Sequence, residues 1–138
     1  MTDLTTLIAK LEAATGPDRE LDVAISCAID GRVLEKRGND RKEWLYLPGT
    51  NNWRQDPGSY GQFLSPRFTA SIDTAVALAE RVLPGWDWGA HSFGEDGAQG
   101  KVWKHGWHDD TAIYADHTSP SIALLIAILR AKQAEGKV

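Results

Sequence analysis

The densest run of side chains able to do chemistry lies between Trp103 and Asp110, where Trp103, Lys104, His105, Trp107, His108, Asp109 and Asp110 are interrupted only by Gly106. Indole faces stack on nucleobases for about 1 to 3 kcal/mol each, and cationic groups satisfy phosphate oxygens through charge-assisted hydrogen bonds. The same two chemistries recur at Trp53 and Arg54, inside the Asn51 to Gly61 stretch of Asn, Asp, Pro, Gly and Ser that reads as an extended loop. Trp53, Arg54, Trp103, Lys104, His105 and Trp107 are therefore the candidate ligand-binding residues. Trp86 and Trp88 are two apart, so on a strand they share a face, and Trp103 on a neighbouring strand is expected to join them, with Lys101 adding a cation. The competing reading is structural: tryptophan most often packs beneath helices, with its indole N–H bonded to a carbonyl.

Other constellations carry less. His105, His108, Asp109 and Asp110 suggest a metal-dependent hydrolase, but they match no strong zinc signature and have no cysteine partner, whereas a closed site needs four placed ligands. His91 and His117 fall on other strands. Glu20 and Asp22 are two apart, so on a helix they diverge by about 200° and do not work on one bond. Capping, with a salt bridge from Arg19 to another element, accounts for that motif. Gly85, Gly89 and Gly94 form no phosphate loop, and no strand-elbow serine motif is present. No catalytic residue, metal site or cofactor is assigned.

The elements that must position these residues follow from periodicity. Leu4, Leu7, Ile8 and Leu11 make one helical stripe, capped by Thr2 or Asp3 and ended by a left-handed Gly16. Pro17, Asp18 and Glu20 suit the first turn of a second helix, whose buried face is Leu21, Ala24, Ile25 and Ala28. From Arg32 to Pro66 the pattern weakens, leaving one short strand over Glu43 to Leu47. Ser71 caps a third helix with Ile72, Ala75, Val76, Ala79, Val82 and Leu83 inward. Trp86 to Phe93, Lys101 to His105 and Thr111 to His117 form an antiparallel meander around a Gly94 to Gly100 loop. Ser119 and Pro120 open a last helix whose Ile122 to Leu129 segment is apolar almost all round, so it fills the centre of the domain or an oligomer interface. The expected fold is α+β, ordered α-α-β-α-β-β-β-α: an antiparallel sheet of three to four strands with four helices, sandwich-like, in one domain spanning residues 1–138.

Composition sets the limits. Fifteen basic against 19 acidic residues give a formal charge of −4, without the basic face that duplex nucleic acid demands. Cys27, the single cysteine, lies in an apolar-periodic segment and reads as a buried hydrophobe in a reducing compartment. Asp3, Lys10 and Glu12 break the plan of a signal peptide, and the longest apolar run falls short of the ~20 residues that cross a bilayer. A cytoplasmic protein with no membrane partner is expected. Six tryptophans, all between Trp44 and Trp107, stand against three phenylalanines.

Three segments resemble a family. Leu7 to Ser26 (LIAKLEAATGPDRELDVAIS), Phe68 to Trp88 (FTASIDTAVALAERVLPGWDW) and His117 to Ala134 (HTSPSIALLIAILRAKQA) are similar to the small phage and prophage proteins of the phage ABA sandwich domain type. The resemblance does not extend over Gly31 to Pro66 or Gly89 to Asp116. It implies helices packed on a small sheet, a phage setting in a bacterial host cell, and no established enzymatic activity. With the aromatic and cationic cluster, it leads to the expectation of a non-enzymatic accessory protein that sequesters a small anionic, nucleotide-like ligand, a sponge for a host antiviral signal. The alternatives are a protein-interaction or regulatory protein, with the last helix pairing across a homo-oligomer, and the metal-dependent hydrolase.

Overall fold

The computed structural model describes residues 3–30, 33–37, 42–46, 53–55, 66–106 and 108–135, with backbone alone at residue 30, in the three segments between 33 and 55, and at 108 and 109. These residues form four long helices, α1 (Leu4–Ala13), α2 (Arg19–Asp30), α3 (Ile72–Val82) and α4 (Pro120–Ala134). They also form two antiparallel three-stranded sheets. The first is β1 (Val33–Arg37), β2 (Lys42–Tyr46) and β3 (Trp53–Gln55); the second is β4 (Trp86–Ser92), β5 (Ala98–Lys104) and β6 (Ile113–His117). The fold is mixed α+β in the expected order, with β1 and β3 flanking the one strand anticipated before α3.

Each helix begins where a short polar side chain replaces a missing backbone partner. Asp3 Oδ1 accepts the Thr6 N–H at 2.9 Å, and α1 buries Leu4, Leu7, Ile8 and Leu11. Gly16 does not close α1 in the left-handed region: the helix leaves through an extended Ala14, whose carbonyl meets His117 Nε2 at 2.8 Å instead. Pro17 likewise stands one place before the cap. Asp18 is the cap, its Oδ1 accepting the Glu20 and Leu21 N–H groups at 2.9 and 3.1 Å, because a carboxylate satisfies two orphan donors where proline only removes one. Ala24 and Ala28 are half-buried, while Asp22 and Ser26 are buried with Leu21 and Ile25. Cys27 is half-buried, short of the full enclosure expected. On α3, capped by Ser71, Leu78 is buried and Ile72 lies at the surface, the reverse of the periodic reading.

The β4–β5–β6 meander is longer at β5 than expected, since Ala98 to Gly100 join the ladder and a 3-10 turn over Gly94–Asp96 makes the hairpin. β6 starts later, behind a single helical turn at His108–Thr111, pinned where the Lys104 N–H donates to Thr111 Oγ1 at 2.8 Å. α4 is the centre of the molecule. Residues Ile122 to Leu129 are wholly buried, enclosed by the sheet together with α1 and α3. The apolar faces of α4 are thus consumed within one chain and do not offer a surface for pairing with a second copy. At Gly100 a Cβ would lie 2.5 Å from the Leu124 Cα and 2.6 Å from the Ala123 carbonyl carbon, so only glycine lets β5 approach α4 this closely.

Candidate functional site

Residues paired across an antiparallel ladder share a face, so the register of the second sheet assigns every side chain to the helix side or the open side. Trp86, Trp88 and Ala90 pair with Lys104, Val102 and Gly100; Val102 and Gly100 are buried against the helices, so this is the inner face. Asp87, Gly89 and His91 pair with Trp103, Lys101 and Gln99, and the last two pair in turn with Tyr114 and Asp116. These residues form the open face.

Trp103 therefore turns away from Trp86 and Trp88, and the expected three-tryptophan platform does not form. The antiparallel register sets Trp103 opposite Asp87, an odd-numbered position on β4, so the alternation along the strand separates it from both even-numbered indoles. Trp86 packs against the core, Trp88 stands at the strand edge, and Lys104 reaches over the Trp86 ring at 5.8 Å from its centroid. Trp103 and Lys104, neighbours in sequence, are on opposite faces.

Lys101 takes the place anticipated for Lys104. Its Nζ lies 5.3 Å from the Trp103 ring centroid, within the range where an ammonium is attracted to an indole face. Gly89 gives the lysine room: a Cβ there would meet the Lys101 Cε at 3.2 Å, so the lysine stem would have to shift slightly, while the Trp103 Cη2 at 3.7 Å would be in ordinary contact. His105, just past the strand, places Nδ1 2.8 Å from Asp87 Oδ2. Gln99 Nε2 donates to Asp116 Oδ1 at 3.4 Å, and Tyr114 is 45% exposed. At the hairpin end the Phe93 ring stacks on His91, with centroids 6.3 Å apart.

Of the six residues expected at the site, Trp103 and His105 come together near Asp87, and Lys104 does not. Trp53 and Arg54 have strand backbone in β3, paired with Tyr46 and Leu45, but their side chains lie outside the described residues, as does the whole of Trp107. The side chains of His108 and Asp109 also lie outside them. Among the described residues no group of three or more His, Cys, Asp or Glu side chains gathers as a metal site. Sequence reasoning missed Asp87, Gly89 and Tyr114. Lys101 at two residues from Trp103 was visible by strand period alone, whereas Asp87 and Tyr114 required the register. Three clefts among the described residues lie elsewhere: a groove of about 470 Å³ between α1 and α2, another beside α3, and a third where Gln133 meets the start of α1. No tryptophan lines any of the three.

The charged motif around Arg19 serves a different purpose. Asp22 is fully buried; its Oδ1 accepts both the backbone N–H and the hydroxyl of Thr69 at 2.8 Å, and its Oδ2 accepts Arg19 Nη1 at 2.7 Å. The Thr69 hydroxyl in turn accepts the Asp18 N–H at 2.8 Å. The Arg19 bridge is thus made within its own helix, one turn away, and its reach to a second segment is a hydrogen bond to the Pro66 carbonyl at 3.4 Å. Asp18, Arg19, Asp22 and Thr69 are bonded to one another and act as a latch between α2 and the approach to α3.

Comparison of the chain with protein-family models, with curated proteins and with solved structures finds no match. No helix among the described residues is long and apolar enough to cross a membrane.

Proposed function

We propose that the chain is a non-enzymatic binding protein of phage or prophage setting, which sequesters a small nucleotide-like ligand in the bacterial cytoplasm and so blunts a host antiviral signal. The observation that carries the binding reading is the Lys101 ammonium held 5.3 Å from the Trp103 ring on the sheet face turned away from the helices. A cation beside an indole offers a base something to stack on and a phosphate something to pair with. The resemblance of three segments to small phage proteins supports the setting. In those segments Asp18, Arg19, Asp22, Thr69 and His117 are engaged in bonds that hold the fold together, which leaves recognition to the open face.

Silencing a signal requires nanomolar affinity, about −12 kcal/mol, which stacking and a few charge-assisted bonds reach only in a preorganised site. Calorimetry against cyclic dinucleotides, cyclic oligonucleotides and ADP-ribose derivatives tests the reading: heat from at least one, abolished by Trp103→Ala, is expected. Silence across the panel sinks it. A protein partner is the second reading, favoured by Phe93 at 53% and Tyr114 at 45% exposure, since exposed aromatics are what protein hot spots use. A protein that co-purifies from infected cells and survives dialysis is the outcome that would select this alternative.

A further inference from the structure

We infer that the occupant of the open face is a planar ring bearing a single phosphate group, a nucleoside monophosphate unit, and not a polyphosphate; this rests on the binding reading above and narrows it. Among the face residues assigned by the ladder, Lys101 is the one lysine or arginine. Its row, Gly89–Lys101–Tyr114, lies between the row holding Asp87 and the row holding Asp116. Diagonal neighbours on a sheet are about 7 to 8 Å apart, so the single ammonium is flanked by two carboxylates at that scale. Lys104, the nearest basic residue along the strand, is on the inner face with Trp86 and adds nothing here.

The position of the charge follows from the packing. With its stem laid over Gly89, Lys101 holds its ammonium close to the indole, so a phosphate meets it while the attached base rests on Trp103. One phosphate is complemented there. A second and third extend toward Asp116, whose carboxylate repels them, or toward Asp87, whose carboxylate His105 Nδ1 already meets at 2.8 Å. A nucleoside without phosphate keeps the stacking and loses the ion pair. The ordering expected is therefore monophosphate above both nucleoside and triphosphate.

The test uses the full chain and two ligand series, adenosine, AMP and ATP, and guanosine, GMP and GTP, titrated by calorimetry at fixed salt. In at least one series the monophosphate should bind about tenfold tighter than the triphosphate and than the nucleoside. Lys101→Met should erase the gap between monophosphate and nucleoside while leaving the nucleoside bound, and Asp116→Asn should raise triphosphate affinity toward that of the monophosphate. A triphosphate that binds as tightly as the monophosphate, or a gap that persists in Lys101→Met, overturns this inference and leaves the binding reading standing. No heat from any of the six with folded protein overturns this inference as well, and the binding reading falls with it only if the cyclic nucleotides and ADP-ribose derivatives are silent too.

Discussion

At Gly100 the β5 backbone comes so near α4 that a single methyl group has no place to go. The atoms it would strike belong to the helix backbone, which does not rotate away as a side chain can. Gly100→Ala should therefore lower the unfolding free energy by about 1 to 3 kcal/mol, read as a reduced urea midpoint at unchanged slope. Asp22 presents the opposite hazard, a group whose removal strands its partners. Asp22→Ala leaves a buried backbone N–H, the Thr69 hydroxyl and the Arg19 guanidinium without the carboxylate that accepts them, and should cost about 3 kcal/mol in the same measurement. Asp3 is an exposed group with a pH signature. The Thr6 N–H held by its side chain lowers its pKa below the ordinary value of 3.8, so its stabilising effect is fully present above that value and is lost as pH falls through the lowered one. Circular dichroism of Asp3→Ala against wild type should show a difference in stability at neutral pH that narrows below pH 3.8.

Between elements, His117 is the joint that a one-dimensional reading does not reveal. The Ser119 N–H donates to its Nδ1 at 3.0 Å, and a backbone N–H has no other role, so Nδ1 is unprotonated; Nε2 then carries the hydrogen that the Ala14 carbonyl accepts. One imidazole ties the end of α1 to the start of α4 through the end of β6. Two-bond nitrogen–proton correlation spectra at neutral pH should show the Nε2–H tautomer. His117→Ala should destabilise the fold by about 1 to 2 kcal/mol, since both partners lose a hydrogen bond. Arg130 reinforces the same joint from α4, bonded to Glu12 of α1 and to the Tyr114 carbonyl of β6. The sheet obeys a different local rule. Strand period two put Lys101 and Trp103 on one face and Lys104 on the other, so a cluster that looks continuous in sequence is divided by the pleat.

For the molecule as a whole, α4 is the organising element because it is apolar on every side and the other elements are apolar on one. Sheet, α1 and α3 each cover part of it, which leaves no face of the Ile122 to Leu129 segment for solvent. A truncation such as Leu125→Ala should cost about 2 to 5 kcal/mol, the spread depending on how far the neighbours relax into the space. Polar bonds fasten the remaining elements to one another: Asp18 and Asp22 are bonded to Thr69, and Ala14 to His117. Trp103 and Lys101 lie on the sheet face opposite the helices, placed side by side by the period of β5.

Local physics made much of this readable from residues alone. Ser71 and Ser119 announce helix starts, the all-apolar run from Ile122 to Leu129 requires a central position, and the alternation from Trp86 onward requires strands, because each depends on neighbours within a turn or a pleat. The sequence places Pro17 and Asp18 inside the first turn of α2, but Asp18 is the cap, since its carboxylate accepts the Glu20 and Leu21 N–H groups, and periodicity does not resolve a boundary to one residue. What the tertiary structure alone decided is which residues face each other across the ladder. Register sets Trp103 against Asp87 and parts it from Trp86, and it does so through contacts between segments distant in sequence, where spacing along one strand carries no information about its partner.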